Sequence, residues 1–137
     1  MNPIFQTYRP KGFSTVNSYL FSSAPSKLIE FITKAFHGEV IQTSYTPEGD
    51  IGNCIIQIGD TNIMISQARG DFNNMRTALY LYVNDVDLMH QSALKNGATE
   101  LFPPADMDYQ DRQSGVIDCD GNYWWISMRL VEKGYEE

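Results

Sequence analysis

The sequence predicts an α+β fold of two βαβββ modules, whose strands form a curved mixed sheet, a half-barrel around a cavity with the helices on its convex side. Three observations predict it. An apolar stripe of helical period is followed by three short strand patterns separated by turn signals. The same order then returns, with Tyr19-Leu20-Phe21 matching Leu81-Tyr82-Val83 and the helix-ending Gly38 matching Gly97. Finally, 137 residues with 42% apolar positions suffice for one folded core, which excludes a disordered tail or a fibrous repeat.

A head, residues 1–14, precedes the first strand pattern at 15–22. In the helix at 24–37, Leu28, Ile29, Phe31, Ile32, Ala35 and Phe36 form the apolar stripe. Ser23 is the expected N-cap, Pro25 suits the first turn, and Gly38 is the expected left-handed stop. Strands follow at 39–45, 53–58 and 62–66, parted by Pro47-Glu48-Gly49-Asp50 and Gly59-Asp60. Residues 15–67 thus form module 1, and the polar stretch 68–76 is a linker. Module 2, residues 77–131, carries a strand at 77–83, a helix at 85–96 and strands near 99–102, 115–118 and 123–131, before an acidic tail at 132–137.

The formal charge of −7, with no basic cluster, excludes a phosphate backbone as a natural partner. No apolar run approaches the roughly 18 residues that cross a bilayer, and residues 1–12 lack the order of a secretory signal. The expectation is a cytoplasmic protein with no nucleic-acid or membrane partner. Cys54 and Cys119 have no metal-type spacing and read as free thiols.

Within this double βαβββ order, the segments YLFSSAPSKLIEFITKAF, LYLYVNDVD, KNGATELFPP and DYQDRQSGVIDCDGNYWWIS resemble the vicinal-oxygen-chelate superfamily. That superfamily includes glyoxalase I, extradiol dioxygenases and bleomycin-resistance proteins, and the resemblance is to its glyoxalase-like, PhnB-like branch. It spans about residues 15–131 and is most specific from Tyr109 to Trp125, with Cys119 where the branch has proline. The resemblance implies a cavity that in the enzymes holds a divalent metal on His, Glu or Gln side chains of four strands. Here those positions fall on Val16 or Asn17, Asn53, Ala78 and Val131, so neither a metal nor another cofactor is expected. His37 and His90 read as surface or helix-end residues, and no Ser-His-Asp or Cys-His arrangement suggests itself.

Strand alternation assigns the cavity lining. With Ala78 on the concave face, Tyr80 and Tyr82 share it while Leu79, Leu81 and Val83 turn to the helices. Trp125, Ser127 and Arg129 line the same face of the last strand, and Asn53, Ile55 and Gln57 line it from module 1. By the resemblance, the loop 106–115 borders the cavity mouth, so Tyr109 and Arg112 stand where they would gate or contact a ligand; an Arg112–Asp118 ion pair pinning the loop is the alternative. The candidate ligand-binding residues are Asn53, Gln57, Tyr80, Tyr82, Tyr109, Trp125 and Arg129. The aromatic rings offer stacking surfaces and cation–π faces, and the amides offer orientation; the alternative is that the aromatics merely fill the cavity or an interface. Arg129 meets either a ligand carboxylate or a neighbouring acid.

Three functions stand open at this point. The chain binds a small molecule, neutral or cationic and aromatic in character, without the usual metal; or it is a lyase or isomerase of the same superfamily, with or without metal; or it is a scaffold with a vestigial cavity. The resemblance also implies a homodimer.

Overall fold

Each helical stripe settles on its own four-stranded sheet. The computed structural model describes residues 1–136. After a single 3₁₀ turn at Pro3–Phe5, the elements run β1 (Tyr19–Ser22), α1 (Pro25–Phe36), β2 (Glu39–Tyr45), β3 (Ile51–Ile58), β4 (Thr61–Gln67), β5 (Ala78–Tyr82), α2 (Val86–Lys95), β6 (Thr99–Asp106), β7 (Asp111–Ile117) and β8 (Tyr123–Arg129). The sheets have the matching orders β1-β4-β3-β2 and β5-β8-β7-β6. In each, the first strand pairs parallel with the last and the rest are antiparallel, so both sheets are mixed and open. The two-module expectation is therefore met.

The core lies between helices and sheets. Leu28, Phe31, Ile32, Ala35 and Phe36 of α1 are buried with Leu20, Cys54, Ile56, Ile63 and Ile65, and Val86 and Ala93 of α2 with Val116, Trp124 and Ile126. The modules meet where α1 packs on α2. There the Phe36 ring lies 4.8 Å from Trp124 and Ser92 Oγ donates to the Ala35 carbonyl at 2.9 Å.

The helix ends differ from expectation by one residue. Ala24, not Ser23, is the N-cap of α1 and has no capping side chain; Ser22 Oγ instead accepts from the Ala24 N–H at 3.0 Å. His37, not Gly38, takes the left-handed position, at φ 57°. Gly38 meets a steric demand instead, since a Cβ there would stand 2.8 Å from Ile32 Cγ2 and 2.9 Å from Ile56 Cδ1. β1 starts at Tyr19 rather than residue 15 because Asn17 bonds back to Ser14 through both ends of its amide, at 2.7 Å each.

In module 2 the strands are longer than their hydropathy suggests. β6 runs through Pro103 and Pro104, which an edge strand with an irregular register tolerates. β7 begins at Asp111, so Asp111 and Arg112 belong to a strand and not to the expected loop. Conversely, β8 ends at Arg129, which leaves Val131 outside the sheet. Inside β7, Gly115 opposes Phe102, and a Cβ there would come within 2.5 Å of the ring. Gly115→Ala is expected to lower stability by about 2 kcal/mol through overpacking. Urea unfolding checks this, and Phe102→Leu in the same chain should restore part of the loss.

Candidate functional site

The face of the second sheet turned away from the helices carries the candidate site. Alternation places Tyr80 and Tyr82 of β5 there, with Trp125, Ser127 and Arg129 of β8 and Asp111, Gln113 and Gly115 of β7. The register sets Tyr80 beside Trp125, Tyr82 and Gln113 beside Ser127, and Asp111 beside Arg129. On the opposite face Trp124, Ile126 and Val116 sink into the core. The division of β5 and β8 into a core face and an open face follows the sequence reading.

Asp111 is the centre of this face and has no exposed surface. Its Oδ2 accepts from the hydroxyls of Tyr80 at 2.8 Å, Tyr135 at 2.7 Å and Ser127 at 3.1 Å, while Arg129 Nη1 donates to Oδ1 at 3.0 Å. Burial pushes the Asp111 carboxyl up, but the hydrogen bonds from Tyr135, Arg129, Tyr80 and Ser127 outweigh it and hold the group below the ordinary carboxylate range. Desolvation, with the adjoining carboxylate, raises the Tyr80 phenol. Gln113, equally buried, donates to Tyr80 and to Ser127 and accepts from the Tyr109 hydroxyl. A buried carboxylate is thus neutralised and fully hydrogen-bonded beneath a rim of tyrosines.

Tyr80, Tyr82, Tyr109, Trp125 and Arg129 are brought together on this one sheet. Tyr80 and Tyr82 are half-exposed, with ring centroids 5.2 Å apart, and Trp125 lies beside Tyr123 and Phe102 at 6.0 and 6.2 Å. Asn53 and Gln57 lie instead on the open face of the first sheet, in β3 opposite Ser44 and Glu39. There Tyr19, Phe21 and Phe72 form an aromatic stack, at 4.7 and 5.4 Å, that the sequence reading did not identify. A cleft of about 560 Å³ follows β5 and the β3–β4 hairpin, with Tyr80, Tyr82, Phe36 and Trp124 in its walls. A second cleft, of about 500 Å³, lies between the head and Met64 of the first sheet, away from the tyrosine cluster.

Arg129 is committed to an internal acid, Asp111, and also donates to the Tyr109 carbonyl at 2.6 Å. The expected Arg112–Asp118 pair does not form. Arg112 instead binds Asp87 at 2.7 Å and Asp106 at 3.0 Å, tying β7 to α2 and β6. Asp118 accepts from the backbone of Asp120 and Asn122 and from Trp124 Nε1 at 2.8 Å, which makes it the organiser of the β7–β8 turn.

The four positions at which the resemblance implies metal ligands carry residues poorly suited to one. Ala78 and Val131 offer no donor atom, Val16 is apolar, and both ends of the Asn17 amide are engaged by Ser14. Only the Asn53 amide remains, so these positions do not fit a divalent metal. Among the described residues, no group of three or more His, Cys, Asp or Glu side chains is placed to hold an ion elsewhere.

His90 corrects the sequence reading, for it is fully buried beneath α2. Its Nδ1 lies 2.8 Å from Ser114 Oγ and its Nε2 2.7 Å from Glu100 Oε1, so a Ser-His-Glu chain does exist. Ser114 has no exposed surface, however, which denies it a substrate; the chain joins α2 to β6 and β7. Cys54 faces the helix layer within the core, and burial raises its thiol more than the Thr43 hydrogen bond lowers it.

The architecture and this site define a chain of the double βαβββ class with an aromatic open face on its second sheet. No family model matches the sequence. An uncharacterised protein of Mycobacterium bovis is 26% identical over 133 residues, covering 89% of this chain and 88% of that protein. A glyoxalase/bleomycin resistance protein/dioxygenase superfamily member from Sphaerobacter thermophilus superposes with a TM-score of 0.69 at 17% identity, over 85% of this chain and 98% of its own. TnmS3, an antibiotic binding protein from Streptomyces, gives 0.69 at 17% identity, over 85% and 97%. The fold is that of the glyoxalase/bleomycin resistance protein/dioxygenase superfamily, which is the vicinal-oxygen-chelate resemblance expected from the motifs.

Proposed function

We propose that this chain binds a small, planar molecule, neutral or cationic, on the open face of the second sheet, without the divalent metal used by the superfamily's enzymes. The observation that carries this reading is the presentation of Tyr80, Tyr82 and Trp125 above a buried floor whose carboxylate is already neutralised. A paired carboxylate is a poor general base, whereas exposed rings offer stacking and cation–π contacts of about 1 kcal/mol each. The net charge of −7 favours a cation over an anion, and a fold neighbour is described as an antibiotic binding protein. A homodimer that sets the first sheet of one chain against the second sheet of another would bring Asn53 and Gln57 to the same ligand. Sedimentation equilibrium should then return the mass of two chains, and a single-chain mass would remove that part of the proposal.

The binding test uses acridine orange, a planar aromatic cation, titrated against tryptophan fluorescence and checked by calorimetry. Saturable binding is expected, weakened about fivefold by Tyr80→Ala or Trp125→Ala. Metal analysis of protein purified without chelator or affinity tag should find no stoichiometric ion, and Zn, Ni, Mn or Fe should leave the Tm unchanged. Stoichiometric metal accompanied by stabilisation would overturn the metal-free reading.

A further inference from the structure

The segment following β8 does not leave the sheet. It folds back over the open face, held by Arg129, whose Nε donates to the Lys133 carbonyl at 3.0 Å and whose Nη2 donates to that of Gly134 at 3.4 Å. This delivers Tyr135 into the candidate site. Its hydroxyl donates to Asp111 at 2.7 Å and meets the Tyr82 hydroxyl at 2.6 Å, and the Arg129 guanidinium sits 4.3 Å from its ring centroid. Since the Tyr135 hydroxyl spends its one O–H on the hydrogen bond to the carboxylate, Tyr82 is the donor in the second contact.

These are the elements of a phenol receptor. A fully buried carboxylate accepts a hydrogen bond from the hydroxyl, a neighbouring phenol donates to the hydroxyl oxygen, and a guanidinium covers a ring face. Asp111 is also held in place by Tyr80 and Ser127, so the acceptor remains positioned whether or not Tyr135 is there. Tyr135 itself is 54% exposed, and only a short segment need move to release it.

We infer that Tyr135 occupies a phenol subsite of the open face, and that a hydroxylated aromatic ligand binds there by displacing it. This rests on the small-molecule reading proposed above and names the chemical class of that ligand. The hydroxyl is the selected feature. An aromatic ring without one leaves the buried carboxylate with an unused acceptor position and gains nothing from evicting the tyrosine. The tail acts as an internal competitor, so the apparent affinity for a phenol is reduced by the fraction of chains in which the subsite is closed.

The test compares wild type with Tyr135→Ala and Tyr135→Phe, titrating each by calorimetry with 2-naphthol and with 2-methylnaphthalene, which has the same ring system and no hydroxyl. Tyr135→Ala should bind 2-naphthol about tenfold more tightly than wild type and 2-methylnaphthalene no more tightly. In wild type, the Tyr135 ring signals in a selectively labelled NMR sample should collapse to those of a mobile residue as 2-naphthol saturates. Equal 2-naphthol affinity in wild type and Tyr135→Ala overturns the displacement. An equal gain for 2-methylnaphthalene overturns the hydroxyl selectivity. If acridine orange still binds in either case, only the phenol inference has failed; if neither probe nor the dye binds any of the three proteins, the small-molecule reading fails with it.

Discussion

Asp111→Ala is expected to destabilise the protein by about 3 kcal/mol, measured by urea unfolding at neutral pH. The substitution removes a carboxylate that is completely buried and takes away the acceptor shared by the hydroxyls of Tyr80, Ser127 and Tyr135, leaving Tyr80 and Ser127 only their contacts with each other and with Gln113. It also leaves Arg129 without its acid, although the guanidinium keeps the Tyr109 and Gln110 carbonyls and some contact with water. That residual solvation places the loss near the lower end of what breaking a buried ion pair causes. Asp111→Asn keeps the shape and part of the hydrogen bonding, and should cost about half as much.

The same residue sets a pH dependence. The folded chain holds the Asp111 carboxyl below its ordinary value, because the donated hydrogen bonds outweigh desolvation. Its stabilisation is therefore fully present above the unfolded-state value and is lost as pH falls from about 4 through the lowered folded-state value. Denaturation midpoints of wild type should decline over that interval, and Asp111→Ala should remove this contribution to the slope. An unchanged acid limb in the variant would show that the native state does not favour the ionised Asp111.

Trp124→Ala is expected to have the largest effect on the core, about 4 kcal/mol by the same urea measurement. The indole is 2% exposed, touches Phe36 of the other module at 4.8 Å and donates to Asp118 at 2.8 Å. Trp124→Phe retains the ring and loses the donor, while Asp118 keeps its bonds to Asp120 and Asn122, so about 1 kcal/mol is expected. Because the indole joins α1 to β8, amide exchange in the last turn of α1 should accelerate in Trp124→Ala beyond what Phe36 alone reports. Exchange that rises equally everywhere would argue for general loss of stability and not for loss of this joint.

The aromatic half of the site was legible because Tyr80 and Tyr82 alternate with Leu79 and Leu81, and Trp125 with Trp124 and Ile126, in strands with one apolar face. The polar half was not. Asp111 and Gln113 occupy strand positions in a run, DYQDRQSG, that has no hydropathy contrast and reads as a loop. Parity counted back from Gly115 was the one signal that reached them. β6 was shortened for a related reason, since Pro103 and Pro104 contradict a central strand but not an edge. The burial of His90 does have a local signal, since Val86, His90 and Ala93 share one helix face and all three are buried. Nothing local in residues 132–136 indicates that Tyr135 returns to Asp111. That contact depends on where β8 ends and on the carbonyls Arg129 can reach.

The parallel pairing at the edge of each sheet also bears on the order of assembly. Tyr19 has no strand partner until Met64 is in place, and Ala78 none until Tyr123, whereas the β2–β3–β4 and β6–β7–β8 meanders close through short turns. Loop-closure entropy makes the meander the natural first structure in both modules, with β1 or β5 docking last and the helix carried in between. On that order the rim tyrosines of β5 are expected to reach their places late, so the open face of module 2 is complete only once β5 has paired with β8.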